Sequence, residues 1–340
     1  MSVPEQAAAA LVDGWQIQGR LQALGQGLIN DTLLVTAGAP GPAARQPGSW
    51  VLQRINARVF PDPGLVMHNV GRVVRHLQAR APELVPGLVS TPDGRDYFRD
   101  AAGGYWRLWD YVANAQTLQS LADDNQARSA GTIFARLQNA LRDLSGPRLR
   151  APIPGFMSMP QYLKNLDAEL PDLLKLEPAA REAVAFIDAR RPLAAEFQQR
   201  SSYVHGDCKI NNLLFRGDLA CRVLDLDTVM YGHWAWDFGD LVRSGADAGG
   251  QFSLALYRGL VQGFVAALGQ RLAASELVLA PRYVGLMLGI RFLTDHLAGD
   301  RYFRVHQHGD NLARASAQLD LVRQMEIMEP QMLDIARDSV

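Results

Sequence analysis

Cysteine is nearly absent. Cys208 and Cys221 are the only two in 340 residues, too few for a disulfide framework and in keeping with a reducing, cytoplasmic setting. Cys208 directly follows Asp207 and reads most simply as a small buried hydrophobe. An excess of charge is also missing. Lys and Arg total 34 against 35 Asp and Glu, a net charge of -1, so neither nucleic acid nor an anionic membrane is expected as a bulk partner. Basic groups such as Arg72, Arg75 and Arg80 read as solvated helix faces. The first six residues hold no basic n-region, and only a short alanine run follows, which argues against a signal peptide. The most apolar stretch, residues 277–297, is interrupted by Pro281, Arg282, Arg291 and Asp295 and is not expected to span a bilayer. No fixed-period repeat occurs, and the only low-complexity tract is the loop at residues 38–48.

What is present is ordinary globular material, 48% hydrophobic and 20% charged, in a length that suggests about two domains. The first hundred or so residues read as strands with one helix. Residues 31–37 and 49–55 are rich in Val, Leu and Thr and are separated by a Gly/Pro loop, a hairpin with a long connection. Asp62 and Pro63 introduce a helix to about residue 78, with Leu65, Val66, Val70, Val73, Val74 and Leu77 on one face. Residues 96–99 and 105–111 are further strand candidates.

Beyond Ala113 helical spacing dominates, at residues 127–144, 159–174, 179–199, 252–268, 282–298 and 311–328. The strand signals in this half are confined to residues 202–204, 213–215 and 220–224, the last two joined by the turn Arg216-Gly217-Asp218. The pattern predicts an α+β, bilobal molecule: a small β-rich N-terminal lobe, residues 1–112, and a larger, mainly helical C-terminal lobe, residues 113–340.

One short segment carries most of the chemistry. His205-Gly206-Asp207-Cys208-Lys209-Ile210-Asn211-Asn212 brings a carboxylate, an ammonium and a carboxamide into one loop, and Val223-Leu224-Asp225-Leu226-Asp227 adds two carboxylates after a hairpin. Asp, then Asn five positions on, then Asp is the layout of a phosphoryl-transfer site. Asp207 is the candidate acceptor of the substrate hydroxyl's proton, and Lys209 places a cation near the moving phosphoryl group. Asn212 and Asp225 are oxygen ligands suited to Mg2+. Asp227 either binds a second ion or orders the loop. His205 reads as structural.

The nucleotide side is less explicit. Gly25-Gln26-Gly27-Leu28-Ile29-Asn30 is a glycine-rich turn between two strands. It opens no helix and has no Walker-type lysine, so it fits a kinase-type phosphate lid in which Gly25 and Gly27 approach ATP. The connection Trp109-Asp110-Tyr111 falls where a hinge would hold adenine, with interlobe packing as the other role for Trp109 and Tyr111.

Residues 205–225, with Asp237 beyond them, resemble the aminoglycoside and choline kinase-like phosphotransferases, relatives of the protein kinases. Longer strings are similar to the N-acetylhexosamine 1-kinases: Gly27-Leu28-Ile29-Asn30-Asp31-Thr32, Val51-Leu52-Gln53-Arg54-Ile55-Asn56, Val223-Leu224-Asp225-Leu226-Asp227-Thr228-Val229-Met230 and Arg291-Phe292-Leu293-Thr294-Asp295. The resemblance covers most of the chain. It implies a protein-kinase-like fold, ATP and magnesium, and phosphorylation of a sugar's anomeric hydroxyl. It further implies that Asn30, Arg291 and Tyr302 contact the sugar together with Asp207, and that Asp237 braces the catalytic loop. The string Asp237-Phe238-Gly239 is not the metal-binding motif of protein kinases, because it falls twelve residues after Asp225 without a preceding strand. Arg291 and Asp295, i and i+4 on one helix, could instead pair with each other.

The third strand departs from the kinase pattern. Where a phosphate-contacting lysine is usual, this chain has Gln53 followed by Arg54, and only one of them can face the cleft. Either a neutral Gln53–Asn69 pair replaces the usual ion pair, or Arg54 turns inward as the phosphate cation. Other small alcohols or an aminoglycoside remain candidate acceptors. A non-catalytic nucleotide-binding module and a protein kinase are the readings from other classes, the latter lacking any activation segment after Asp225. Monomer and homodimer are both compatible with the sequence.

Overall fold

The computed structural model describes residues 3–24, 30–37 and 48–340. It begins with a helix that the sequence reading did not anticipate, α1 (Val3–Trp15). The run Ala7-Ala8-Ala9-Ala10 favours a helix, and α1 buries Ala7, Ala10, Leu11 and Trp15 on one face. Next come β1 (Arg20–Ala23), β2 (Asp31–Ala37), β3 (Gly48–Arg54), α2 (Pro63–Arg80), β4 (Leu88–Val89), β5 (Phe98–Arg99) and β6 (Tyr105–Asp110). The strands form one antiparallel sheet in the order β1-β2-β3-β6-β4, with β5 also on β6. Asp62 starts α2 by accepting from the Leu65 amide at 2.9 Å, with Pro63 at the first position, where the missing N–H costs nothing.

Strand alternation sorts the sheet's side chains between two cores. Trp50, Leu52, Trp106 and Leu108 join α1 in a small core. Trp109 faces the other way, into the large core, where α2 also buries Val66, Val70, Val73, Val74 and Leu77. Although N-terminal in sequence, α2 therefore packs with the helical remainder.

That remainder contains β7 (Gln116–Thr117), α3 (Asp124–Leu141), α4 (Met159–Glu169), α5 (Pro178–Asp188), β8 (Ser202–Val204), β9 (Leu213–Arg216), β10 (Leu219–Val223), β11 (Met230–Gly232), α6 (Trp234–Gly245), α7 (Leu254–Leu268), α8 (Ala274–Leu297), α9 (Asp310–Ile327) and α10 (Glu329–Arg337). The β9–β10 hairpin also holds β7, and β8 pairs with β11. Helices α4 and α5 end sooner than their periodicity suggests. Pro171 follows α4, and a proline disfavours helical backbone in the residue before it, whereas α5 gives way to a short 3-10 turn at Arg191–Ala195.

In contrast, α8 starts eight residues earlier than expected and keeps Pro281 inside it. A proline there cannot bond the Leu277 carbonyl four residues back, and that carbonyl instead receives the Tyr257 hydroxyl at 3.4 Å. By length and composition α8 could cross a membrane, but most of it lies in the large core. Helices α3 and α7 touch backbone to backbone. A Cβ on Gly263 would lie 2.0 Å from the Arg128 carbonyl oxygen, and one on Gly131 would lie 2.4 Å from that of Leu260.

Candidate active site

The loop at residues 205–212 leaves β8 and enters the β9–β10 hairpin. Its backbone is fixed mainly by Asp237, in the first turn of α6. The Asp237 carboxylate accepts from the His205 amide and the Gly206 amide, each at 2.8 Å, and from Gln138 Nε2 at 2.8 Å. Asp237 thus stands where the family resemblance put it. The short strand β11 does precede it, contrary to the sequence reading, but Asp237-Phe238-Gly239 is buried helix and not a metal-binding loop. His205 is fully buried. Its Nε2 meets the Leu224 carbonyl at 2.8 Å, and its Nδ1 accepts from the Asp207 amide at 3.2 Å, which assigns the proton to Nε2. Gly206 has φ +83°, and a Cβ there would sit 2.9 Å from the Thr228 carbonyl oxygen, so the turn requires glycine.

Asp207 Oδ2 accepts from Lys209 Nζ at 2.7 Å and from Asn212 Nδ2 at 3.0 Å. Burial pulls the Asp207 carboxyl upward, but the Lys209 ammonium, with His205 and Asn212, outweighs it and holds the group below its ordinary range. Burial likewise works against the Lys209 charge, yet Asp207 and Asp225 keep its pKa raised. The pair is therefore ionised at neutral pH, and both side-chain bonds fall on Oδ2 of Asp207, not on Oδ1. Asp225 behaves differently. Burial, then Asp227 and Asp207, push it up to about 6, and its backbone is left-handed at φ 58°. Neighbouring Cys208 is completely buried, and burial together with Asp237 and Asp240 raises its thiol well above the ordinary value, so it is an inert packing residue.

Asp227 has both oxygens engaged. Arg107 from β6 pairs with Oδ1, and Asn30 Nδ2 donates to Oδ2 at 2.7 Å. Asn30 Oδ1 in turn accepts from the Asn56 amide at 3.0 Å. Asn30, expected to reach the sugar, is thus held inside the protein by Asp227 and Asn56, and Asp227 ties the loop to the sheet.

Arg107 is the site residue that sequence reasoning missed. It lies directly across from Gln53 in the β3–β6 register, and its Nε donates to Gln53 Oε1 at 3.0 Å. Gln53 Oε1 also accepts from Trp109 Nε1 at 2.9 Å, and its Nε2 donates to Thr32 Oγ1 at 3.2 Å. Neither replacement proposed for the missing lysine forms. Asn69 donates to the carbonyls of Arg150 and Val229, not to Gln53. Arg54 turns to the α1 side, where it bonds Gln6 at 2.8 Å and lies over Trp106. The available signal was a lone arginine in Tyr105-Trp106-Arg107-Leu108-Trp109, on the same strand face as Trp109.

At the connection between the sheet and the helices, Trp109 is buried, with the Arg107 guanidinium over its ring. Tyr111 is exposed, and its amide joins the Ser49 carbonyl at 3.3 Å. Gly25 and Gly27 lie outside the described residues.

On the other side of the 205–212 loop, a Cβ on Gly206 would be 3.3 Å from the Phe156 ring. That ring is one of four around the Arg291 guanidinium, with centroid distances of 5.6 Å to Phe156, 5.3 Å to Tyr162, 5.8 Å to Tyr302 and 5.2 Å to Phe303. Arg291 does not pair with Asp295. The Asp295 carboxylate accepts instead from the amides of Arg301, Tyr302 and Phe303 and from Asn311 Nδ2, tethering the loop that carries two of the rings.

The donor set fits a hard divalent cation. Asn212 directs its Nδ2 to Asp207, which leaves its carbonyl oxygen for an ion, and Asp225 is a half-buried carboxylate crowded by two others. Such a cation would offset the repulsion that raises Asp225, and oxygen ligands of this kind suit Mg2+ with its retained waters and phosphates.

The sequence matches the phosphotransferase enzyme family, APH, over residues 20–277. In structure the chain is similar to the amicoumacin kinase hAmiN in complex with AMP-PNP, Ca2+ and Ami, with 14% identity, a TM-score of 0.65 and coverage of 94% of this chain and 93% of that one. It is similar also to a microcompartment-associated aminopropanol kinase, with 15% identity, a TM-score of 0.65 and coverage of 96% and 98%. A choline/ethanolamine kinase family protein from Mesorhizobium loti gives 20% identity, a TM-score of 0.58 and coverage of 99% and 100%. These likenesses establish the protein-kinase-like fold. The chain belongs to the APH phosphotransferase family and is a phosphotransferase of that fold.

Proposed function

We propose that this phosphotransferase moves the γ-phosphate of ATP, with Mg2+, to the anomeric hydroxyl of an N-acetylhexosamine or a closely related sugar. The observation that carries the chemistry is the division of labour on Asp207. Lys209 and Asn212 both hold Oδ2, so Oδ1 is the atom that orients the acceptor hydroxyl. As the acceptor oxygen bonds to the γ-phosphorus and the bond to the β,γ-bridging oxygen breaks, the hydroxyl proton passes to Asp207. Lys209 keeps Asp207 ionised beforehand and sets a positive charge beside the site of transfer. Asn212 and Asp225 would hold the metal ion, which neutralises charge on the nucleotide phosphates. Asp237 keeps the loop's amides fixed so that Asp207 meets the hydroxyl without reorganising.

The sugar reading rests on the resemblance of the strings around Gln53, Asp225 and Arg291, and the pocket supports it. Arg291, framed by aromatic rings and without a carboxylate partner among the described residues, suits a neutral polar ring bearing hydroxyl or acetamido oxygens. The same cation would repel a polyamine acceptor such as an aminoglycoside.

ADP release measured with N-acetylhexosamines, simple hexoses, amino alcohols and aminoglycosides, followed by phosphorus NMR of the product, tests the proposal. Turnover with an N-acetylhexosamine and an anomeric phosphate in the product support it. Turnover confined to amino alcohols or aminoglycosides refutes it. Asp207→Asn should lower kcat by about 10²- to 10⁴-fold.

A further inference from the structure

Away from the catalytic carboxylates, the loop between α8 and α9 gathers a second set of donors. His296 lies in the last turn of α8, Asp300 three residues past its end, and His308 just before α9. One ring nitrogen from each histidine and a carboxylate oxygen of Asp300 fall within 4.8 Å of one another. His308 Nδ1 is 3.2 Å from Asp300 Oδ2, and the two imidazoles stack with centroids 5.1 Å apart.

The state of His296 points to a missing ligand. Its side chain is 6% exposed, its Nε2 is 3.0 Å from the Glu177 carboxylate, and its buried Nδ1 has no hydrogen-bond partner. A buried imidazole nitrogen is costly to leave unmatched. Glu177 on Nε2 would place the proton there and leave Nδ1 as a lone pair. A carboxylate on the far nitrogen of a histidine is the arrangement that orients and strengthens metal-ligating imidazoles.

We propose that His296, Asp300 and His308 form a site for a first-row divalent transition metal, zinc being the best fit, distinct from the oxygen-ligated site at Asn212 and Asp225. Two imidazoles and one carboxylate suit zinc, with a fourth position open to water, whereas magnesium and calcium prefer oxygen. Metal–ligand bonds of about 2.0–2.2 Å hold tetrahedral ligand atoms roughly 3.3–3.5 Å apart. The largely exposed His308 ring, at 78%, is the ligand free to close the remaining distance. The ion would fasten both ends of the segment that carries Tyr302 and Phe303, two of the rings around Arg291, and so link metal supply to the geometry of the acceptor pocket.

The test is equilibrium dialysis of the whole chain against Zn2+ with Mg2+ in excess to keep the catalytic oxygen ligands occupied, together with Co2+ substitution read by visible absorption. The expected result is one equivalent of bound Zn2+ and a Co2+ spectrum carrying imidazole ligation. Affinity should fall at least ~10-fold in His308→Ala and in Glu177→Gln, and remain unchanged in Asp225→Asn. Because His308 is exposed, loss of binding in His308→Ala is not attributable to misfolding when its circular dichroism matches that of the parent. Substoichiometric zinc in the parent chain, unchanged affinity in His308→Ala, or loss of zinc in Asp225→Asn would overturn the proposal.

Discussion

Arg107 and Asp227 form an ion pair in which each side chain is only 1% exposed, and it joins strand β6 of the sheet to the segment that follows Asp225. Asn30 on the remaining oxygen of Asp227 and Gln53 on the Arg107 guanidinium complete the network. Removing one partner of a buried pair leaves the other charge uncompensated, at a cost of about 3–5 kcal/mol. Arg107→Met should therefore destabilise by that order in urea denaturation. Adding Asp227→Asn to it should recover part of the loss, and strictly additive losses would show that the two residues do not act as a pair.

Asp225 has a folded-state pKa of about 6 against an ordinary 3.8. Between those values the folded metal-free chain binds more protons than the unfolded one, so stability falls as pH rises through this window and the penalty is complete above it. At about 1.4 kcal/mol per unit, the penalty is on the order of 3 kcal/mol. In chelator at pH 8, Asp225→Asn should be more stable than the parent, and the advantage should vanish below pH 4. With Mg2+ and ATP the order should reverse, because only the parent gains stability from the ligand. A variant less stable than the parent in chelator at pH 8 would contradict the account.

Asp237→Asn replaces one carboxylate oxygen with an amide that cannot accept from a backbone N–H. Since both oxygens hold loop amides, one donor loses its partner, at a cost of about 1–3 kcal/mol. Activity should fall mainly in kcat, with the KM for ATP changed little. An equal fall in stability with unchanged kcat would reduce Asp237 to a packing role.

Arg291→Gln should raise the KM for the acceptor about 10-fold or more, as expected for loss of a charged hydrogen bond, while the KM for ATP stays within about twofold. Matching changes in both KM values would place Arg291 outside the acceptor pocket.

The parts of the site that were legible in the sequence are those held together locally. Asp207, Lys209 and Asn212 sit within one turn-sized loop, and their mutual hydrogen bonds span two to five residues. The parts that were not legible depend on pairing across the chain. The Asn30–Asp227 bond spans 197 positions and Arg107–Asp227 spans 120, so no spacing rule reveals that Asn30 faces a carboxylate instead of solvent. Local rules also misled where tertiary structure supplied a substitute. The helical spacing from residue 282 stops short of Pro281, but the Tyr257 hydroxyl takes over the freed Leu277 carbonyl and the helix runs through the proline. The alanine run near the N-terminus counts against a signal peptide but carries no apolar periodicity of its own, and only burial of Ala7 and Ala10 with Leu11 and Trp15 makes it a structural helix.

The glycine contact between α3 and α7 has a bearing on precision. Helix α3 carries Gln138, which holds Asp237, and Phe134, whose ring meets that of His205 edge-on. Where Gly131 and Gly263 bring main chain against main chain, no side chain of their own sets the spacing of the two helices. The loop that carries Asp207 is thus held by a helix whose spacing from α7 is set at these points by backbone contact. Heating that sets side chains hopping elsewhere in the core should leave the height of α3, and with it the aim of Asp207, nearly unchanged until the helices themselves part.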